Sequence, residues 1–551
     1  MTELPATQHA IQFTGPGTLI HNAAKPVPAP GPTQVVLKVE ATGLCFSDTK
    51  LLHAWTSHPR KGPVLAGLPE EVLAQIPSYT PDEAPGTPGH ECCARIVAVG
   101  SAVEHHRVGE RVLVQTDYRH LPTKGANAAF GYNFEGGLAE YVLLDERMIL
   151  DPDTGERFLI PVNETPSGSA VALLEPWACV EKSYATRERR TLLAGGRLLV
   201  AVDPGAALTG LADLLAAATP REIVQLEPME AATLPALAGG RFDDIVYAGS
   251  SADRIEALIG LLAPGGIIEI VLGGRRIDRD VAVDVGRIHY DPIRLTGTTG
   301  TSAWDGYAAI PADGELRDGD RVAIVGAAGP MGFMHTIRAA TIGRRDLHVA
   351  AIDIDDSRLA HLADVAGPVA AANGVESTFT NSRVSPPPER AYSYVGVMVP
   401  APALVVQAVA MAAPGARLNL FAGFAVGTRA LLDLNTIVGL GLYLFGTSGS
   451  EIRDMVAVLG RLEAGRLDTN MSVDAVCGLD GVSSALAAIE ARTSGGKIVV
   501  YPALHHLGLV RLTELADRLP PVAAKLDNGK WTVEAESALL AEPTLQAEEA
   551  A

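Results

Sequence analysis

The sequence predicts an α/β protein in three parts: a β-rich N-terminal domain followed by two doubly wound α/β domains, the first of them degenerate. Three observations carry this. Up to about residue 165 the chain reads as short β-runs cut by Gly and Pro. From about residue 195 it changes to Ala/Leu-rich helical periodicity alternating with buried apolar runs. Within that second region one pattern occurs twice. At 551 residues the chain also exceeds one ordinary core, and three domains are the natural division.

In the N-terminal part the strands include 35–39, 94–99 and 111–114, each rich in β-branched residues. The duplication comes next. Leu262-Ala263-Pro264-Gly265-Gly266 with Gly273 is answered by Ala412-Ala413-Pro414-Gly415-Ala416 with Gly423, and Thr296-Gly297-Thr298-Thr299-Gly300 by Phe445-Gly446-Thr447-Ser448-Gly449. Each copy starts with a strand, 197–202 and 321–325. These starts lie closer together than the later landmarks do, so the first copy is short by about one βα unit. Its strand-to-helix turn reads Asp203-Pro204-Gly205-Ala206-Ala207. A carboxylate there opposes a pyrophosphate approaching backbone N–H groups, so this copy is read as having lost its nucleotide. Residues 497–501 read as a final strand, and 505–551 as a polar tail with one weak helical stretch. The expected boundaries are 1–185, completed by about 490–551; 190–315; 316–455; and 456–551.

A net charge of −20 argues against nucleic acid or an anionic membrane as partner. No signal-peptide pattern opens the chain, and no apolar run approaches the roughly 20 residues of a membrane span. Five cysteines, two of them adjacent, suggest no disulfide framework. A cytoplasmic, reducing setting fits these features.

Cys45, His90, Glu91 and Glu175 can together hold one zinc ion. They lie in Gly43-Leu44-Cys45-Phe46-Ser47-Asp48, Pro88-Gly89-His90-Glu91 and Leu174-Glu175-Pro176. Thiolate, imidazole and carboxylate with one position open make a catalytic zinc site. Asp48 is the candidate acceptor for the second ring nitrogen of His90. Ser47 offers a hydroxyl to pass a proton outward. Glu91 and Glu175 are not separable at this level: either can ligate while the other bonds metal-bound water. Cys92, Cys93, Cys179 and Cys477 read as packing residues, and the pairs His105-His106 and His505-His506 as exposed loop histidines.

Gly326-Ala327-Ala328-Gly329-Pro330-Met331-Gly332 follows an apolar strand run and leads into a helical one. The glycines suit backbone approach to a pyrophosphate, and Asp353, closing the next apolar run, would accept bonds from the adenosine ribose. A carboxylate there repels a 2′-phosphate and favours NAD, although Arg358 lies five positions on.

With these motifs in this order, and with Val108-Gly109-Glu110-Arg111-Val112 and Gly136-Gly137-Leu138-Ala139-Glu140-Tyr141, the chain resembles the zinc-dependent medium-chain dehydrogenases, the alcohol and polyol dehydrogenase superfamily. The Gly-His-Glu and Glu-Pro pair is similar to the sorbitol dehydrogenase and L-sorbose-1-phosphate reductase branch. So are Gly131-Tyr132-Asn133-Phe134 and Phe445-Gly446-Thr447-Ser448-Gly449. The resemblance implies a GroES-like β-barrel catalytic domain beside Rossmann-like domains, with zinc and NAD as cofactors and the backbone near Phe445 contacting the nicotinamide. Where the family often carries a relay histidine this sequence has Lys50, so Lys50, His53 or water takes that role. The extra domain at about 190–315 departs from ordinary members.

The activity expected is reversible oxidation of a secondary alcohol on a polyol, sugar or sugar phosphate, with Arg119, Lys124 and Lys182 as candidate phosphate contacts. Rival readings are an enzyme with tightly held NAD catalysing redox-neutral epimerisation, elimination or bond cleavage, a non-catalytic zinc- and nucleotide-binding sensor, and, weakest, a zinc-free quinone reductase. The oligomeric state stays open, with a homodimer as one candidate.

Overall fold

The computed structural model describes residues 4–227, 229, 240–425 and 427–542. The end of the polar tail, 543–551, lies outside them. They divide into two compact units, one of Met1–Cys179 with Gly449–Ala551, the other of Val180–Ser448.

The first unit is built on an eight-stranded sheet. The anticipated apolar runs fall within strands Gln34–Leu44, Glu91–Val99 and Arg111–Val114. The last strand read from the sequence, Lys497–Val500, returns to this sheet and pairs antiparallel with Gln34–Leu44, Val499 opposite Gly43. On its other side Gln34–Leu44 pairs with Glu91–Val99, Gly43 opposite Glu91. Three segments far apart in sequence therefore meet around Gly43. Buried Val35, Leu37, Val39, Ala94, Ile96 and Val112 pack on one face of the sheet, alternating with neighbours on the other.

The second unit contains an 11-stranded sheet. From one edge its order is Glu222–Leu226, Arg197–Val202, Phe242–Ala248, Leu262–Val271, Arg294–Thr298, Tyr443–Phe445, Ala412–Leu420, Tyr392–Val397, Arg321–Val325, His348–Asp353 and Glu376–Asn381. The last six, in chain order, are arranged 3-2-1-4-5-6, the dinucleotide-binding arrangement of a doubly wound sheet. Among the described residues the first five repeat that order without a counterpart of the third strand.

Within each half neighbouring strands are parallel; the halves join through an antiparallel pairing of Leu295 with Leu444. Those two residues are equivalent in the duplication, each preceding the same Thr/Phe-Gly-Thr-Thr/Ser-Gly segment. A second antiparallel pair, Val281–Asp284 with Arg429–Leu432, sets Val281 opposite Leu432 and Val283 opposite Ala430. With Ala430 equivalent to Val281 and Leu432 to Val283, each contact is matched by its mirror. The join thus has the self-complementary form of a two-fold dimer interface, made within one chain. Each half covers the edge strand of the other, where unpaired N–H and C=O groups would stand exposed. One core runs through both, from Leu199 and Ile270 to Leu418 and Leu444.

No helix among the described residues is long and apolar enough to cross a membrane.

Because Leu295 and Leu444 are both buried at the join, Leu295→Ala or Leu444→Ala should each cost about 2–4 kcal/mol in chemical denaturation. The double variant should cost less than the sum of the two, since the residues share one contact.

Candidate metal and dinucleotide sites

In the first unit, strand Gln34–Leu44 ends at Cys45, which caps helix Phe46–Ala54. The cap is reciprocal: the Cys45 N–H donates to Asp48 Oδ2 at 2.9 Å, and the Asp48 N–H to the Cys45 carbonyl at 3.1 Å. The same aspartate turns its other oxygen to His90, Oδ1 lying 3.2 Å from Nδ1. Asp48 therefore fixes both the thiol-bearing turn and the imidazole, the part the sequence suggested for it. His90 Nε2 is left facing the Ser47 hydroxyl at 3.2 Å.

Glu91 begins its strand directly after His90 and is 0% exposed. One carboxylate oxygen, Oε1, accepts from the Lys497 ammonium, itself buried; the other, Oε2, has no hydrogen-bond partner. Gly43 is what admits the carboxylate, because a Cβ there would stand 2.1 Å from Glu91 Oε2. Ligand atoms of Cys45, His90 and Glu91 all lie within 4.8 Å of one another. A sulfur, an imidazole nitrogen and a partnerless buried carboxylate oxygen are a donor set that fits zinc.

Glu175, on helix Leu174–Ala185, stands outside that group of three but acts on it. Burial raises its pKa to about 7, with Glu91 and Asp117 adding to the rise and His90 and Lys497 opposing it. Burial works against the Lys497 charge, but Glu91, Cys45 and Glu175 outweigh it and raise its pKa.

Two relay candidates stay apart from this cluster. Lys50 is exposed and lies over the Phe46 ring, 5.6 Å from its centroid. His53 pairs with Glu490. Beside Ser47 instead is Tyr132, which hydrogen-bonds it, with its ring 5.5 Å from that of His90 and 5.2 Å from that of His58. Arg60, paired with Asp117, lies over the Tyr132 ring, 5.3 Å from its centroid. Of the cations suggested for phosphate binding, Arg119 meets Glu451 and the Ser450 carbonyl, Lys182 the Ser448 carbonyl, and Lys124 is exposed.

Lys497, Gly43, Tyr132 and Arg60 were missed by sequence reasoning. Gly43 and Tyr132 lie in motifs that carried the metal reading and the family resemblance, and Lys497 opens an otherwise apolar strand, but nothing local to them declares their roles. Cys92 and Cys93 are buried packing thiols, burial pushing Cys92 up to about 12. One member of each histidine pair departs from the expectation of an exposed loop residue, while His105 and His506 are exposed. His106 is buried against Glu146 at 2.7 Å, and His505 is buried too.

In the second unit, strand Arg321–Val325 gives way to Gly326, at φ +83°, and helix Pro330–Thr341 begins after Gly329. A Cβ on Gly332 would come 2.2 Å from the Gly326 carbonyl, so this glycine lets the helix start press on the turn. Gly329, Pro330 and Met331 remain half-exposed at the helix N-terminus, where backbone N–H groups attract anions. Asp353, ending strand His348–Asp353, accepts from the Ala328 N–H at 3.0 Å and the Ile354 N–H at 2.7 Å. Arg358 approaches it at 3.6 Å. The Phe445 ring is buried against Tyr443 and Tyr394, so any ligand contact there falls to its backbone.

At the corresponding turn of the first copy, Asp203 accepts from the Tyr247 hydroxyl at 2.7 Å and pairs with Arg254. Its charge is therefore compensated, and its side chain fills the turn rather than opposing a ligand by charge alone.

Residues 31–153 match the alcohol dehydrogenase GroES-like domain. Over part of its length the chain is similar to zinc-type alcohol dehydrogenases. It is 34% identical over 140 residues to a zinc-type alcohol dehydrogenase-like protein of Escherichia coli, covering 23% of this chain and 35% of that one. It is 24% identical over 324 residues to L-sorbose 1-phosphate reductase of Klebsiella pneumoniae, covering 52% of this chain and 73% of that one. Four relatives are matched over 35%, 57%, 45% and 45% of their length. The crystal structure of 2R,3R-butanediol dehydrogenase from Bacillus subtilis superimposes with a TM-score of 0.51 at 17% identity, covering 90% of this chain and all of that one. At that identity the likeness shows the fold.

Removing one partner of the buried Lys497–Glu91 pair strands a charge. Lys497→Met should destabilise the protein by about 3–5 kcal/mol in denaturant titration. Lys497→Met with Glu91→Gln should recover part of that loss, because neither partner is then left charged and alone.

Proposed function

We propose that the protein is a zinc-dependent oxidoreductase that moves a hydride between NAD and a secondary alcohol or ketone of a polyol, sugar or sugar phosphate. The observation that carries the reading is the convergence of Cys45, His90 and Glu91 on one point, with Glu91 Oε2 buried and without a partner. Its relatives' names, among them sorbitol dehydrogenase and (R,R)-butanediol dehydrogenase, support the substrate class.

Cys45, His90 and Glu91 would hold the ion, which when bound supplies Lewis-acid polarisation of the reacting oxygen while NAD takes or gives the hydride. The remaining chemistry belongs to the chain. Asp48 holds the His90 ring so that Nε2 faces the donors. Lys497 keeps one oxygen of Glu91 occupied and aims the other. The Ser47 hydroxyl, beside His90 and bonded to Tyr132, takes the substrate proton and hands it on. Glu175, with its pKa near neutral, serves as a second proton acceptor at the same place. The turn 326–332 and Asp353 would hold the pyrophosphate and adenosine ribose.

The test is a panel of polyols, vicinal diols and sugar phosphates followed by NADH absorbance, with and without a chelator. Turnover should fall at least about a hundredfold on chelation and in Cys45→Ser, the loss of several kcal/mol of transition-state stabilisation. Full turnover in Cys45→Ser would sink the metal mechanism. Asp353 should make the KM for NADP exceed that for NAD, and Asp353→Ala should narrow the gap by weakening NAD.

A further inference from the structure

Away from the Cys45 cluster but in the same unit, four histidines meet. His9 lies on strand Thr7–Gly15 and His21 on the strand paired with it, Thr18–Pro26. His505 and His506 follow the short turn Pro502–Leu504 near the chain's end. His9 Nδ1 and His21 Nε2 are 2.9 Å apart. The His505 ring stacks on His9 with centroids 3.7 Å apart, and His506 stands edge-on to His505 at 4.1 Å.

One carboxylate organises the group. Asp480 Oδ1 lies 2.6 Å from His21 Nδ1, and Asp480 Oδ2 lies 3.3 Å from His506 Nδ1. A carboxylate on one ring nitrogen is the outer-shell arrangement that fixes a histidine's tautomer and presents its other nitrogen to a metal. The backbone is pinned as well: the Asp480 N–H donates to the His505 carbonyl at 2.9 Å. A separate observation points to a ligand. His505 is 6% exposed, yet its Nδ1 has no hydrogen-bond partner, and an orphaned buried nitrogen is costly.

We propose that His9, His21 and His505 or His506 form a second metal site, taking a first-row divalent ion such as Zn2+, with Asp480 as its outer-shell support. His9 Nδ1 and His21 Nε2 already stand near the spacing of two donors on one ion, whose metal–nitrogen bonds are about 2.0–2.1 Å. The stacked rings do not yet converge, so the third bond closes by rotation of His505 or His506. His506 and Asp480 are exposed and give the ion a way in. An all-imidazole set selects zinc, copper or nickel over magnesium or calcium. Such an ion would tie the N-terminal hairpin to the C-terminal segment, and the proposal stands independently of the catalytic reading.

Untagged protein, stripped with chelator and dialysed against Zn2+ at pH 7.5, is expected to bind two ions per chain. Cys45→Ser should keep one, and His9→Gln/His21→Gln should keep the other while losing part of the zinc-dependent rise in Tm. As a milder variant, His506→Ala changes only an exposed side chain. In the Cys45→Ser background, bound Cu2+ should show EPR hyperfine coupling to at least two imidazole nitrogens. A wild-type protein whose single ion is lost in Cys45→Ser, or a second ion that survives in folded His9→Gln/His21→Gln, overturns the site. Loss of the first ion alone, with the histidine-dependent ion retained, would instead overturn the catalytic reading.

Discussion

The buried pairing of Lys497 with Glu91 is the contact on which the candidate centre depends. It joins residues 406 apart in sequence, in the first and last strands of a three-strand group. Taking both charges from water is costly, and the cost is offset only while they remain together. The pair therefore locks the returning C-terminal strand to the strand that follows the turn bearing His90. It also divides the labour of one carboxylate, one oxygen held by the ammonium and one left toward Cys45 and His90. Gly43 on the central strand is the third member, since any side chain there would occupy the place of that carboxylate.

In the other unit the ruling constraint is an edge. A doubly wound parallel sheet ends in strands whose backbone groups need partners, and here the last strands of the two copies supply them to one another. The pairings across the join are self-complementary, with Leu295 opposite Leu444 and Val281 and Val283 opposite Leu432 and Ala430. Among the described residues the first copy shows no counterpart of the third strand, and that edge of the sheet lies far from the join.

Much of this was legible in the residues. The three donors sit in short motifs whose types declare their chemistry, and the turn from 326 to 332 needs its glycines for reasons local to the backbone. The strand runs were legible because β-branched residues in buried strands need no context to be recognised. Less was legible about who assists whom. The family resemblance suggests Lys50 or His53 as relays, but Lys50 lies on Phe46 and His53 on Glu490. Tyr132 holds the place beside Ser47 from a turn some 85 residues later, a neighbour no periodicity announces. His106 and His505 look like loop histidines in sequence and are buried, His106 against the Glu146 carboxylate and His505 against the His9 ring.

By itself the sequence determined the kinds of donor, the glycine-bearing turn and the repeated pattern, since all of these are written in residue type and spacing. Tertiary structure alone decided that Glu91 rather than Glu175 joins Cys45 and His90, that Lys497 attends it, and that the two copies share one sheet. Strand order and buried charge pairing arise from contacts between distant segments, whose free energies depend on what packs beside them and not on the residues next along the chain.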